Sequence, residues 1–338
     1  MARTNRKLVA TQLSTDFREA SSVVEEELPP PEPHEVVVHN RFAAVNATDV
    51  NMSAGRYQPG MRPPIPLGAE AVGTVVETGE RVRKISEGDA VVTSNVGGGY
   101  REYNVVRASD ALLVPTPTPA VLSLMVSGLT ASIALKEVGE MKSGETVLVT
   151  AAAGGTGQYA VQLAKRAGNH VIGTCRNPSK VQFLEAIGCD HPINYREQDV
   201  RSVLDEHYPS GVNLIYESVG GELFDVCVDA LARYGRLLSI GYVSEYKEGA
   251  RAVEHERVYT KLIPKSASLR GFFLPHYAEH FGDHMDELVA LQQSGALDVS
   301  IDDRRFEGLE EVPDAVEHLH SGESQGKVVV RFSEEPGR

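Results

Sequence analysis

The chain has 338 residues, 41% of them hydrophobic, 31 glycines and a formal charge of −14. That length exceeds one ordinary core and fits two domains. The acidic balance opposes any role that neutralises phosphate backbones or anionic headgroups over a wide surface, so neither nucleic acid nor membrane is an expected partner.

The start, MARTNRKLVATQLSTDF, lacks the apolar core of a signal peptide, and no stretch approaches 18 uncharged apolar residues. A cytoplasmic protein is expected. Short β-type runs then follow one another up to about residue 125: EVVVHNRFAAVN, AVGTVVETG, DAVVTS, REYNVV and ALLVP. Gly, Pro, Asp and Asn punctuate them at intervals suited to a compact β-barrel-type domain. PTPTP at 115–119 reads as a stiff connector, because each proline fixes φ and removes a donor. The first domain is placed at 1–126.

From 127 the pattern becomes strand and helix in alternation: ETVLVTA, GTGQYAVQLAKRAG, HVIGT, PSKVQFLEAIG, HPINY, VNLIYES, GELFDVCVDALARY, RLLSIG and SASLRGFF. Six apolar strands with intervening helices predict a doubly wound parallel sheet of the Rossmann type, placed at 127–275. The remainder, 276–338, is expected to return to the first domain through helices at about 277–293 and 313–320 and the strand KVVVRF. Cys175, Cys189 and Cys227 lie 14 and 38 residues apart, match no zinc spacing, and read as buried thiols.

In the stretch Ala151–Gly157, A-A-A-G-G-T-G, Gly154 and Gly157 keep the last two glycines of the dinucleotide fingerprint, and alanine takes the first place. Ala153, Gly154, Gly155, Thr156 and Gly157 are therefore candidates to cradle a pyrophosphate at a helix N-terminus. The next strand ends HVIGTCRNPSK, with no acid between Val171 and Lys180 to accept ribose hydroxyls. Arg176, Lys180 and, one strand later, Tyr195 favour a 2′-phosphate, hence NADP(H) rather than NAD, and Thr174 is a further cofactor-binding candidate. Ser218, Val219 and Gly241 end two further strands on the ligand side.

The β domain, linker and Rossmann unit together resemble the medium-chain dehydrogenase/reductase superfamily along essentially the whole chain. The fold class the resemblance implies is α/β: a Rossmann doubly wound parallel sheet plus a GroES-like β-barrel-type catalytic domain. Zinc members carry an early cysteine ligand, a G-H-E segment and a four-cysteine lobe, whereas this chain has VNATD at 45–49, LGAE at 67–70 and no cysteine before Cys175. No metal is expected. Losing a Lewis acid disfavours simple alcohol oxidation, while an α,β-unsaturated ketone needs only hydride at its β-carbon and donors for the enolate oxygen.

The blocks NRFAAVNATDVNMSAGRY, LVTAAAGGTGQYAVQLAK, YESVGGELFDVCVDAL and KSASLRGFFLPHY resemble the enone- and quinone-reducing branch of that family. The resemblance implies NADPH-dependent reduction of a conjugated double bond in a lipid-derived substrate, with quinone reduction as the alternative. It places Asn46, Tyr57 and Thr130 around nicotinamide and substrate carbonyl, with Tyr57 as enolate donor. It also places Phe272, Phe273 and Leu274 at the nicotinamide end and Gly326 near the cofactor, with Lys327 either a contact or a surface charge. The strand SLRGF would pair with its copy in a homodimer. A competing motif, HYAEH at 276–280, matches H-x-x-E-H and extends to His284. It would make Glu279 a peptidase base, but Pro275 puts His276 at the helix start and the block already fits the reductase pattern.

Overall fold

The computed structural model describes residues 3–57, 60–249, 252–253 and 256–333. The chain folds as two units, 1–126 with 301–338, and 127–300.

The first unit opens with a hairpin the sequence pattern does not announce, β1 (Thr4–Ala10) and β2 (Ser21–Glu27), around the short helix α1 (Phe17–Ala20). Its main strand, β3 (Glu35–Ala44), buries Val36, Val37 and Val38. The helix α2 (Asp49–Ser53) and strands β4 (Ile65–Pro66), β5 (Glu70–Thr78), β6 (Ala90–Ser94), β7 (Tyr103–Arg107) and β8 (Ala111–Leu113) follow. Val36, Val38, Val75, Val91 and Val106 form one core across these strands, as expected where inward positions recur every second residue.

A helical run then occupies 119–138: α3 (Pro119–Ser123), a π turn at Leu124–Gly128, α4 (Leu129–Ile133) and a second π turn at Ala134–Val138. Thr118 caps α3 by accepting from the Val121 N–H, and Pro119 sits where a helix lacks an internal donor requirement. By length and composition this run could cross a membrane, which corrects the expectation that no such stretch exists. Its most apolar window is 83% buried within the protein, as in a core helix.

The second unit alternates β9 (Thr146–Val149), α5 (Gly157–Arg166), β10 (His170–Cys175), α6 (Pro178–Ala186), β11 (His191–Asn194), α7 (Val200–His207), β12 (Val212–Glu217), α8 (Gly221–Asp229), β13 (Leu231–Ser239), α9 (Val258–Leu262) and β14 (Ser268–Gly271). All six strands are parallel, in the order β11-β10-β9-β12-β13-β14. Leu148, Ile172, Ile193, Ile215 and Leu237 pack from the strands against Val203, Leu204, Cys227 and Val228 from the helices. The chain order reverses at β9, which puts a ligand crevice at the C-terminal ends of β9 and β12.

The helix expected from about 277 begins four residues later, as α10 (Phe281–Gln293), after a 3-10 stretch at Leu274–His280 with Pro275 in its first turn. This segment stays with the second unit, so the return to the first falls at 301 rather than 276. Two side chains of α5 explain it. Gln158 exchanges hydrogen bonds with both the N–H and the C=O of Ser300 (2.7 and 3.0 Å), and Gln162 does the same with Asp298 (2.8 and 2.9 Å). Each amide thus mimics a strand partner.

After 301 come β15 (Phe306–Glu307), α11 (Val312–Ser321) and β16 (Val329–Arg331). β16 pairs antiparallel with β3, Val329 opposite Ala44 and Val330 opposite Ala43. The Val45 N–H donates to Val328 O (3.0 Å), which sets Lys327 beside Asn46.

Candidate active site

In the second unit, Ala153, Gly154, Gly155, Thr156, Gly157, Thr174, Arg176, Lys180, Tyr195, Ser218, Val219 and Gly241 all lie at or just beyond the C-terminal ends of parallel strands. Phe272, Phe273 and Leu274 follow β14 at the same edge. The two fingerprint glycines of the loop, Gly154 and Gly157, have different reasons. A Cβ at Gly157 would meet Ala151 O at 2.4 Å and Ala152 O at 2.6 Å, so helix-to-strand packing alone requires glycine there. At Gly154 the nearest neighbour would be Ala151 O at 3.2 Å, a tight contact but a far milder one than those at Gly157. What it leaves open is backbone, as the approach of a pyrophosphate needs.

Thr174 is a strut under this loop: buried, it accepts from the Ala151 N–H (3.2 Å), while its carbonyl accepts from the Ala152 N–H (3.0 Å). At the switch point, Thr150 Oγ1 accepts from the Ser218 N–H (2.8 Å). The buried Glu217 carboxylate gathers the Val219 and Gly220 N–H groups (2.7 and 2.9 Å), and burial raises its pKa. The Ser218 hydroxyl is buried without a hydrogen-bond partner among the described residues. An orphaned donor beside an open glycine loop fits a nucleotide bound there.

Asn177 caps α6 by accepting from the Lys180 N–H (3.0 Å). Lys180 is only 7% exposed, so it is not the solvated helix-start charge that its position also allowed. The Tyr195 N–H donates to Cys175 O (3.0 Å), which brings the end of β11 alongside Arg176. These residues form a basic, aromatic rim suited to a 2′-phosphate.

In the first unit a buried polar cluster surrounds Asn46. Glu70 is fully buried and accepts from Lys327 Nζ (2.8 Å), Asn46 Nδ2 (3.0 Å) and the Val126 N–H (2.9 Å). Lys327, 2% exposed, also donates to Asn46 Oδ1 (2.7 Å). It is therefore neither a surface charge nor a strand-start decoration. An ammonium neutralises Glu70, and good geometry with further hydrogen bonds is what makes a buried ion pair tolerable.

Within this network Asn46 gives its amide hydrogens to Glu70 and, at a long 3.4 Å, to Ala44 O. Its own N–H donates to Asp49 Oδ2 (2.9 Å), which also accepts from the Tyr100 hydroxyl (2.5 Å). Asp49 is fully buried and its Oδ1 has no hydrogen-bond partner among the described residues. Burial pushes its pKa up to about 6, against the pull of Tyr100, the Asn46 N–H and Lys327.

Tyr57 is half-buried, and its pKa is raised first by burial and then by the Asp49 charge. The phenol therefore stays protonated at neutral pH and can donate. Thr130 is buried within α4 of the second unit, and Gly326, at φ +76°, lies in the first. Phe272 stacks on Tyr277 (5.1 Å), and Phe273 is exposed. All three cysteines are free and buried, as their spacing suggested.

The H-x-x-E-H reading does not hold. His276 stacks edge-on against Phe273 (5.1 Å), a kink at Tyr277 interrupts the 3-10 stretch, and Glu279 is exposed. His276 and His280 do not share a helix face.

Fold and site together define a two-domain, nicotinamide-dependent oxidoreductase with a Rossmann unit and a GroES-like unit. Residues 32–118 match the alcohol dehydrogenase GroES-like domain and residues 155–290 the zinc-binding dehydrogenase domain. The chain belongs to the medium-chain dehydrogenase/reductase superfamily. It is 47% identical over 340 residues to prostaglandin reductase-3 of Mus musculus, covering 98% of this chain and 90% of that one. It is 43% identical to a probable quinone oxidoreductase of Leishmania amazonensis, covering 97% and 98%. The crystal structure of Escherichia coli quinone oxidoreductase complexed with NADPH superposes with a TM-score of 0.86 at 28% identity, over 96% of this chain and 99% of that one.

Proposed function

We propose that this protein is an NADPH-dependent reductase of the conjugated C=C of α,β-unsaturated ketones, lipid-derived ones of the 15-oxoprostaglandin type among them. The observation that carries this is the likeness to prostaglandin reductase-3 along nearly the whole chain, with the half-buried Tyr57 phenol as the candidate donor. The likeness to prostaglandin reductase-3 supports the substrate class. NADPH supplies a hydride when bound. The Rossmann strand ends hold it through the glycine loop and Ser218, and Arg176 and Lys180 read its 2′-phosphate.

As hydride enters the β-carbon, charge spreads to the carbonyl oxygen, and a donor placed there stabilises the enolate. Tyr57 is that donor in our reading, and the proton then reaches the α-carbon to leave a saturated ketone. Lys327, Glu70 and Asn46 hold the loop from 45 to 49 in place.

The test is loss of NADPH absorbance against a 15-keto-prostaglandin, a medium-chain enone, an alkenal and a quinone. Turnover of the enones to saturated ketones is the expected result. Turnover of the quinone alone would establish the second reading, NADPH:quinone reduction, which the Leishmania and E. coli relatives favour.

Arg176→Ala checks the cofactor assignment. A charged hydrogen bond contributes roughly 1.5–3 kcal/mol, so NADPH affinity falls about 10- to 100-fold while NADH affinity holds. Equal weakening of both cofactors would overturn the 2′-phosphate contact.

The open edge strand β14 supports a homodimer formed through its backbone groups, which sedimentation reads directly.

A further inference from the structure

The second unit carries a cluster that neither hydride transfer nor cofactor binding uses. One ligand atom each from Glu137, His280 and His284 lies within 4.8 Å of the other two. His280 and His284 are one helical turn apart, at the start of α10, so both face the same side. Glu137 comes from the π turn after α4. His284 Nε2 lies 3.4 Å from Glu137 Oε1, and its Nδ1 lies 2.8 Å from Ser132 Oγ.

Backbone geometry explains how Ser132 and Glu137 reach one imidazole. Residues five apart diverge by about 140° around an α-helix of 3.6 residues per turn. Between 134 and 138 the chain is a π turn, with the Gly139 N–H donating to Ala134 O (2.7 Å), and that wider turn brings five-residue spacing back to one face. Lys136, the cation next to Glu137, is drawn off to Glu287. His284 is 6% exposed and held, His280 half-buried, and Glu137 exposed, so the two outer ligands can adjust around a fixed inner one.

We propose that Glu137, His280 and His284 form a binding site for a divalent transition metal, Zn²⁺ by donor chemistry, that clamps the π turn to α10. Two imidazoles and one carboxylate are a common three-ligand zinc set, with water completing the tetrahedron. Ligands at about 2.0–2.2 Å from zinc stand roughly 3.4 Å apart; the Glu137–His284 pair already does, and His280 closes by a side-chain rotation. Ser132 completes the arrangement. As His284 Nε2 turns from Glu137 to the metal, its proton resides on Nδ1 and the Ser132 hydroxyl becomes the acceptor, a bond that fixes the tautomer.

The test is isothermal titration of chelator-treated, full-length protein with ZnCl2, with MgCl2 as the control for non-specific charge. One equivalent of Zn²⁺ per chain and no response to Mg²⁺ are expected. The variants His280→Ala and Glu137→Gln, at positions accessible enough to fold normally, should each weaken Zn²⁺ at least tenfold. They should also abolish the zinc-dependent rise in melting temperature while NADPH affinity stays unchanged. No Zn²⁺ binding by the wild type, or undiminished binding by both variants, would overturn the site.

Discussion

Lys327→Met is expected to lower the free energy of unfolding by about 3–5 kcal/mol, the cost of leaving a buried carboxylate without its partner. Glu70 has no solvent exposure and would keep only the Asn46 amide and the Val126 N–H. The double variant Lys327→Met, Glu70→Leu should recover most of the loss, because a well-packed apolar pair removes both desolvated charges. Urea unfolding followed by circular dichroism measures all three. A loss below about 1 kcal/mol in the single variant would mean that Glu70 is not held as an ion. Asn46 enters the same balance, since its amide bridges both charges.

Tyr57→Phe should reduce kcat on enones by about 10²- to 10⁴-fold, the range for losing a positioned proton donor. The ring is kept and only the hydroxyl goes, so NADPH affinity and melting temperature should stay near wild type. The structural reason for choosing this hydroxyl is its electrostatic setting. Burial and the Asp49 charge both disfavour the phenolate, so in the proposed reaction the group would meet a developing oxyanion with its proton in place. Steady-state kinetics with NADPH saturating separate the effect on kcat from any on cofactor binding. Unchanged turnover would remove Tyr57 from the mechanism and leave the enolate to another donor.

Much of the second unit was legible in the sequence. Strands buried on both faces read as continuous apolar runs, and helices between them carry a different period, so the six-strand alternation stands out. The glycine loop was legible for the same local reason, since Gly157 answers to packing within a few residues of itself. The β1–β2 hairpin was not, because TNRKLVA and SSVVEEE are half polar and belong to a small sheet with β4 rather than to the main sheet of the unit. The return at 301 was misplaced because it depends on Gln158 and Gln162, whose amides hold backbone well over a hundred residues away.

Local physics therefore determined the fold class and the glycine loop, because each rests on periodicity or on neighbours close in the chain. Only the tertiary structure decided which polar residues meet. Pairing of β16 with β3 sets Lys327 against Asn46 and Glu70, and turns an apparent surface lysine into part of a buried network. In the same way a π turn and a distant helix bring Glu137 to His280 and His284, while His276, from the same motif, packs against Phe273. A charge's role depends on burial and on its partner, and neither is a local property of the chain.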